Sequence, residues 1–381
     1  MKKPWVVLAA ICATMLFQGA QIGGIQVLLA DIGQEFGLDV SQSGQLASLQ
    51  YICVIAAPLA VGGLADRFGK GNVVKMAMLV YLAGCVIASS APSVAVLVIA
   101  LLLVGGGYGV LTAVSCTWLE RLYPGKGGRC QSLTQCAFGL AAFLSPLCIR
   151  VMHLSWRGLF QLVAMGMLLC LLPLCLYHDN APLKALRCEA IRKEKSYLVL
   201  LMLCMVVGVG LESGITYYAV SLFLERAWQE TWGAYALAAF WLAVMAGRLL
   251  FSQLSVRVLK AIGILECAIT ALLFGVYLSR WPKATVLLFA LLGLAVSAVG
   301  PMLVGEAAAS YRAASGLAAG LVVSASGMGS VLALVLMGWI GKRTSVSQAY
   351  LLLSVLAAIG ATIALLGAKQ KQKKREEVLH L

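Results

Sequence analysis

Residues 62–74 read Gly-Gly-Leu-Ala-Asp-Arg-Phe-Gly-Lys-Gly-Asn-Val-Val, a short polar stretch between two long apolar segments. Asp66, Arg67 and Lys70 share this connection with Gly62, Gly69 and Gly71. A loop so tight and so charged joins two antiparallel helices whose flanks avoid water. Read outward from it, the chain resolves into apolar runs long enough to cross a bilayer, which takes about 20 residues. There are twelve: 4–30, 43–65, 72–90, 93–119, 128–150, 157–177, 196–224, 231–255, 259–279, 283–306, 313–340 and 346–367. Of the 381 residues, 61% are hydrophobic and only 12% charged, more apolar surface than a water-soluble domain can hide. The fold class expected is an all-α membrane protein of twelve transmembrane helices.

The basic residues give an orientation. With the N-terminus placed inside, the inner segments hold 21 Lys and Arg and the outer ones 7, with Arg248 inside a span. That bias puts both termini in the cytoplasm. The net charge of +14 then belongs to topology and to contact with anionic lipid, and its dispersal over short loops argues against a nucleic-acid partner. The apolar run after Met-Lys-Lys-Pro-Trp is too long for a signal peptide and reads as an uncleaved first span. Twelve Cys without metal or disulfide spacing behave as small hydrophobes, so neither metal nor cofactor is expected. His153, His178 and His380 sit at loops or the tail, and no nucleophile–base constellation points to an enzyme.

The polar segment 178–195 divides the chain into six spans and six spans, giving residues 1–177 and 196–368 as two bundles and 369–381 as a basic cytoplasmic tail. The halves echo each other. Asp66 and Glu120 end spans 2 and 4; Ser255 and Glu306 end spans 8 and 10, with Arg67 and Arg257 at matching places.

Gly62, Leu64, Asp66, Arg67, Gly69 and Lys70 resemble the signature loop between helices 2 and 3 of the major facilitator superfamily, with Gly71 where a second basic residue is usual. Trp156-Arg157-Gly158-Leu159-Phe160 is similar to that family's motif at the start of helix 6. Phe240-Trp241-Leu242, Gly247-Arg248-Leu249-Leu250 and Gly300-Pro301 resemble fucose-permease-like members. The resemblance implies two pseudo-symmetric six-helix bundles that rock about a midplane site. It also implies that spans 1, 4, 7 and 10 line the cavity, and that Glu120 latches on Arg67 and Glu306 on Arg257 or Arg312.

Ionisable groups within a membrane are costly and need a reason. Glu212, midway along span 7, is the candidate proton carrier and a candidate substrate ligand; a carboxylate that only holds helices together is the alternative. Arg248 and Glu266 fall at similar depth on consecutive antiparallel helices, so a salt bridge is expected, with an Arg248 that anchors an anionic substrate as the rival. Gln18, Gln21, Gln26, Tyr108, Thr112, Gln135, Tyr217, Tyr218 and Trp241 are the remaining substrate-binding candidates, amides and aromatic groups suited to a neutral polar solute. Gly105, Gly106, Gly107 and Gly109 read as helix packing. The chain departs from the family at the coupling positions. No acid stands at Gln26 or near Leu111 and Thr112, as in fucose-permease-like proton symporters, and no Arg near Leu101, as in drug antiporters.

The sequence thus leads to a monomeric secondary transporter in a bacterial-type inner membrane. It would take up a sugar or similar metabolite, with a proton as coupling ion, amid membrane lipid. Export of drugs or metabolites, and a transporter-like receptor that moves nothing, are the alternatives.

Overall fold

The computed structural model describes residues 4–123, 127–177, 195–251, 257–311 and 315–379, with the side chains at 58–67, 116–117, 127–129, 132, 315–316, 371 and 373–379 left out of that description. The described residues form fourteen helices: α1 (Pro4–Phe36), α2 (Val40–Phe68), α3 (Lys70–Ser89), α4 (Val94–Leu122), α5 (Gly127–Met152), α6 (Trp156–Cys175), α7 (Lys195–Tyr217), α8 (Ala219–Glu225), α9 (Glu230–Phe251), α10 (Val258–Leu278), α11 (Pro282–Val296), α12 (Val299–Ser310), α13 (Ser315–Arg343) and α14 (Val346–Leu379). Eleven stretches among them are long and apolar enough to cross a membrane. The further helix is α2, whose first half carries Ser41, Gln42, Ser43, Gln45, Ser48 and Gln50 and which packs between α4 and α13. The architecture is that of twelve membrane helices.

Fourteen helices make twelve spans because two spans are broken. The span over 283–306 is interrupted at Ser297–Ala298. Pro301 lies four residues beyond Ser297 and has no N–H to give its carbonyl, which ends the ladder there. The span over 196–224 breaks at Tyr218. Thr216 Oγ1 bonds back to the carbonyls of Glu212 and Ser213, a habit that bends helices. The Ile215 carbonyl, which the break releases, accepts from Tyr350 Oη at 2.6 Å.

Helix ends are set locally. Gly37, at φ +64°, closes α1 with Leu38 N donating to Gly33 O at 2.8 Å and Gly37 N to Gln34 O, a Schellman arrangement. Asp39 then opens α2 with a reciprocal capping box to Gln42, both bonds 2.9 Å. Gly69 alone separates α2 from α3 at φ 86° and ψ 139°, a conformation that only glycine adopts without strain. The signature loop is therefore a one-residue hinge.

The packing follows the repeat. In the first half α1 lies on α5 and α6, α2 and α3 on α4, and α3 on α6; in the second, α7 lies on α13 and α14, α9 and α10 on α11, and α10 on α14. The halves meet along two seams, α2 against α13 and α5 against α9. Small residues bring the helices together: backbone atoms of Gln50 crowd Gly105, those of Tyr81 and Ala77 crowd Gly107, and Gly327 faces Tyr51 and Ile55 across the α2–α13 seam. Below, the end of the bundle where α6 gives way to α7 is the linker end; the other is the far end.

Candidate functional site

Midway along the bundle, hydrogen bonds run from the first half into the second. Gln26 Nε2 donates to Thr216 Oγ1 at 3.0 Å, and Trp241 Nε1 donates to Gln26 Oε1 at 2.9 Å. Gln50 Nε2 donates to Tyr217 Oη at 2.5 Å, and Tyr51 Oη lies 3.1 Å from the same phenol. Gln21 links Gln50 to Tyr81 at 3.4 and 3.3 Å. Gln21, Gln26, Gln50, Tyr217 and Trp241 are all buried. These amides and phenols, expected to meet a solute, are joined to one another and tie α1, α2 and α3 to α7 and α9.

One turn from Thr216 toward the linker end lies Glu212. It is half-buried, as are Tyr108 and Thr112 on α4, Gln135 on α5 and Arg248 on α9. Glu212 stands within electrostatic reach of Arg248, Tyr108 and Tyr51, and makes no ion pair among the described residues. Arg248 Nη1 donates to the neutral Gln135 Oε1 at 3.3 Å, while its Nε is buried without a partner. Thr112 Oγ1 is turned back onto the Tyr108 carbonyl. A carboxylate, a guanidinium, a phenol and an amide from four helices thus face one another without closing.

Other expected residues lie elsewhere. The salt bridge between Arg248 and Glu266 is not formed. Glu266 is fully buried, with both oxygens unpartnered, and its carboxyl occupies the niche left by Gly360 of α14 beside Val207 of α7. The two helices follow one another in sequence but do not pack together, since α9 and α10 each lie on α11. Tyr218 does not face the cavity: its phenol donates to Leu334 O at 2.7 Å and fills the α2–α13 seam beside Gly44 and Gly338. Gln18 is buried with neither end of its amide bonded. Glu306 accepts from Tyr197 at 2.7 Å and Ser310 at 3.1 Å, whereas Arg257 donates to Gln372 at 2.9 Å, so those two do not pair in this state. Glu120 is exposed near the end of α4. Lys70 opens α3 after Gly69; the side chains of Asp66 and Arg67, next to Gly62 on α2, lie outside the described residues, as does Arg312.

The profile of the Major Facilitator Superfamily matches residues 8–278, well over half of the chain. The chain belongs to that superfamily. Superfamily relatives include the niacin transporter NiaP of Acinetobacter baylyi, 26% identical over 148 residues, which are 38% of this chain and 34% of the relative. The putative metabolite transport protein YwtG of Bacillus subtilis is 27% identical over 157 residues, 40% of this chain and 34% of the relative. The alignments span about a third of each relative's length. Among solved structures, an inward-facing, occupied bacterial homologue of the human lysosomal transporter Spinster superposes with a TM-score of 0.76 at 14% identity, covering 97% of this chain and 98% of that one. The superfamily transporter FucP in its outward conformation gives 0.69 at 15% identity, covering 94% and 98%. These likenesses establish the fold. The chain is thus a multi-pass membrane protein of a transporter superfamily.

The superfamily repeat shows most plainly at the far end, where the helix-6 motif residues Trp156 and Arg157 meet acids that the sequence reading passed over. Glu35, closing α1, accepts from Trp156 Nε1 at 2.7 Å and from Arg157, which stacks on the Trp156 ring at 4.0 Å. Glu225, closing α8, accepts from the backbone N–H groups of Val346 and Ser347 at the start of α14. Glu35 and Trp156 are 121 residues apart, and so are Glu225 and Val346. Across the seams, Lys342 at the end of α13 pairs with Asp39 at the start of α2 at 2.8 Å, and Arg150 at the end of α5 pairs with Glu230 at the start of α9. Lys342 holds the Asp39 carboxyl below the usual carboxylate range, helped by the Gln42 backbone N–H. Among the described residues, both ion pairs between the halves lie at this end. The signal available in the sequence was a basic residue closing the fifth helix of each half and an acid opening the second.

Proposed function

We propose that the chain is a secondary active transporter that takes up a small polar organic solute by alternating access, with a proton carried on Glu212. The observation that carries this reading is the placement of Glu212: a carboxylate without an ion pair facing the space between the halves. Its own carbonyl accepts the Thr216 hydroxyl, which in turn accepts from Gln26 of the other half. Protonation at Glu212 therefore acts one residue-turn from a bond that joins the bundles, as coupling between proton and conformation requires. The relatives named for niacin and metabolite transport support a small organic solute. The excess of basic residues at the linker end supports placing that end, with both termini, in the cytoplasm of a bacterial-type inner membrane. The protein acts as a monomer among lipids, and the rocking units are 1–177 and 196–368 joined by 178–195. The buried, unpartnered Gln18 amide supports a solute bearing hydroxyl groups, a sugar among them.

Export of an amphipathic solute is the second reading. It is favoured by an apolar fissure of about 510 Å³ between α1, α5 and α9, lined by Trp5, Cys12, Leu133, Leu140 and Met245 among others.

The test is uptake of labelled sugars, polyols, organic acids and amino acids into proteoliposomes under an imposed pH gradient. Accumulation of one solute only with the gradient, lost in Glu212→Gln while exchange of preloaded solute persists, is the expected result. Gradient-driven accumulation retained in Glu212→Gln would remove Glu212 as carrier; saturable binding without flux would favour the receptor alternative.

A further inference from the structure

The polar groups between the halves differ in what is left for a solute. Gln21, Gln26, Gln50, Tyr51, Tyr217 and Trp241 are engaged with one another. Arg248 is not satisfied: one long bond to a neutral amide and a buried, unpartnered Nε leave a guanidinium in the membrane interior with no counter-ion in contact. Such a charge is costly unless something completes it. The guanidinium fork matches a carboxylate in plane and in spacing.

The acid nearest to it in function, Glu212, shares its field but stays apart. Around Glu212 the other titratable groups are Tyr51 of α2, Tyr108 of α4 and Arg248 of α9. On α13, also packed against α7, no titratable side chain lies between Ser315 and Gly341. Tyr350 of α14 is committed to the Ile215 carbonyl and Glu306 of α12 to Tyr197. Among the described residues, Arg248 is thus the one positive group facing this carboxylate.

Building on the transport reading above, we infer that the solute is a small organic acid, that its carboxylate seats on Arg248, and that it crosses together with one proton on Glu212. The charges balance. With Glu212 neutral, Arg248 is free to take one anion. When the proton leaves, the Glu212 carboxylate returns to the Arg248 field and the anion is displaced. One monoanion and one proton move as a neutral pair, and the empty carrier returns with Glu212 and Arg248 offsetting each other. No net charge crosses the membrane in either limb.

The experiment uses the full chain in proteoliposomes and pairs of probes matched in shape: gluconate with glucose, lactate with lactamide, benzoate with benzamide. The inference predicts that a carboxylate accumulates under a pH gradient, that its neutral partner does not, and that an inside-negative potassium diffusion potential alone drives nothing. Arg248→Gln is expected to weaken carboxylate uptake about tenfold or more, with Arg248→Lys intermediate. The potential measurement needs no variant, so it stands even if Arg248→Gln fails to fold. Accumulation of a neutral probe that responds to the potential would overturn the organic-acid assignment and leave proton-coupled transport intact. Failure of every probe, charged or neutral, to move would overturn both.

Discussion

The two halves are near copies at their far ends and unlike at their centre. Arg150 with Glu230 and Lys342 with Asp39 are the same device twice, each a base closing a fifth helix and an acid opening the other half's second. Glu35 and Glu225 hold the start of the sixth helix in each half at the same separation. Gln26 and Thr216, 190 residues apart, occupy equivalent places and bond to each other. The charged groups of the cavity break this pattern. Glu212 and Arg248 both come from the second half, and the residues 190 positions earlier are Ile22 and Pro58. The first half brings amides and phenols. Symmetric parts suit a movement that must open either way, and one-sided parts suit the recognition of one cargo.

This division is open to direct attack. The largest contrast is between two carboxylates of the same half. Glu212→Gln removes gradient-driven accumulation, about tenfold or more. Glu266→Gln, buried against Gly360 and away from the cavity, leaves accumulation within about twofold, since it changes no group facing the solute. Initial uptake rates of both variants check this, and equal losses would erase the contrast. For the same reason Glu266→Ala will not rescue Arg248→Ala; the losses should add, because the two do not touch.

A smaller effect is expected at the far-end pairs, where Arg150 and Glu230 are 25% and 31% exposed and Lys342 and Asp39 59% and 35%. Exposed pairs are weak and easily broken, as a gate requires. Arg150→Gln and Asp39→Asn should each change turnover by about threefold or less, by similar factors, and the double variant by their product. Turnover at saturating solute measures this; a large effect from one pair alone would deny their equivalence. The smallest effect is on pH. The Asp39 carboxyl, bonded to Lys342, titrates lower in the folded chain than in the unfolded one. Its contribution is therefore present at neutral pH and is lost as pH falls through the folded value. Thermal stability of Asp39→Asn should equal that of the parent in acid and fall below it near neutrality.

The spans and the hinge were legible from the sequence because a run of about 20 apolar residues has few other fates, and because Gly69 between charged residues marks a tight turn. The breaks at Tyr218 and Ser297 were not, since hydropathy runs through them unchanged; Pro301 was the one local clue. Tyr218 was read as a cavity residue together with Tyr217, yet the helix breaks at Tyr218 and its phenol turns into the seam. The Arg248–Glu266 pair failed because helices consecutive in sequence need not be neighbours: α9 and α10 each lie on α11, and Glu266 sits against Gly360 of α14. Glu212 and Arg248 were each singled out as costly charges, but only the folded chain sets them in one field. The far-end pairs escaped because charges in short loops look like topology until the opposite half is brought beside them.

The account turns on the far end parting while the halves stay rigid. The measurement that tests it most directly is a spin-label distance across that end, between Val151 and Trp281, both exposed and on opposite halves. Cys148, Cys175 and Cys267, the exposed cysteines among the described residues, are replaced beforehand. The account predicts one short distance in the parent chain near neutral pH and a second, longer one that gains population in the Asp39→Asn, Arg150→Gln double variant. A single unchanged distance in that variant, at neutral and acid pH alike, would contradict it.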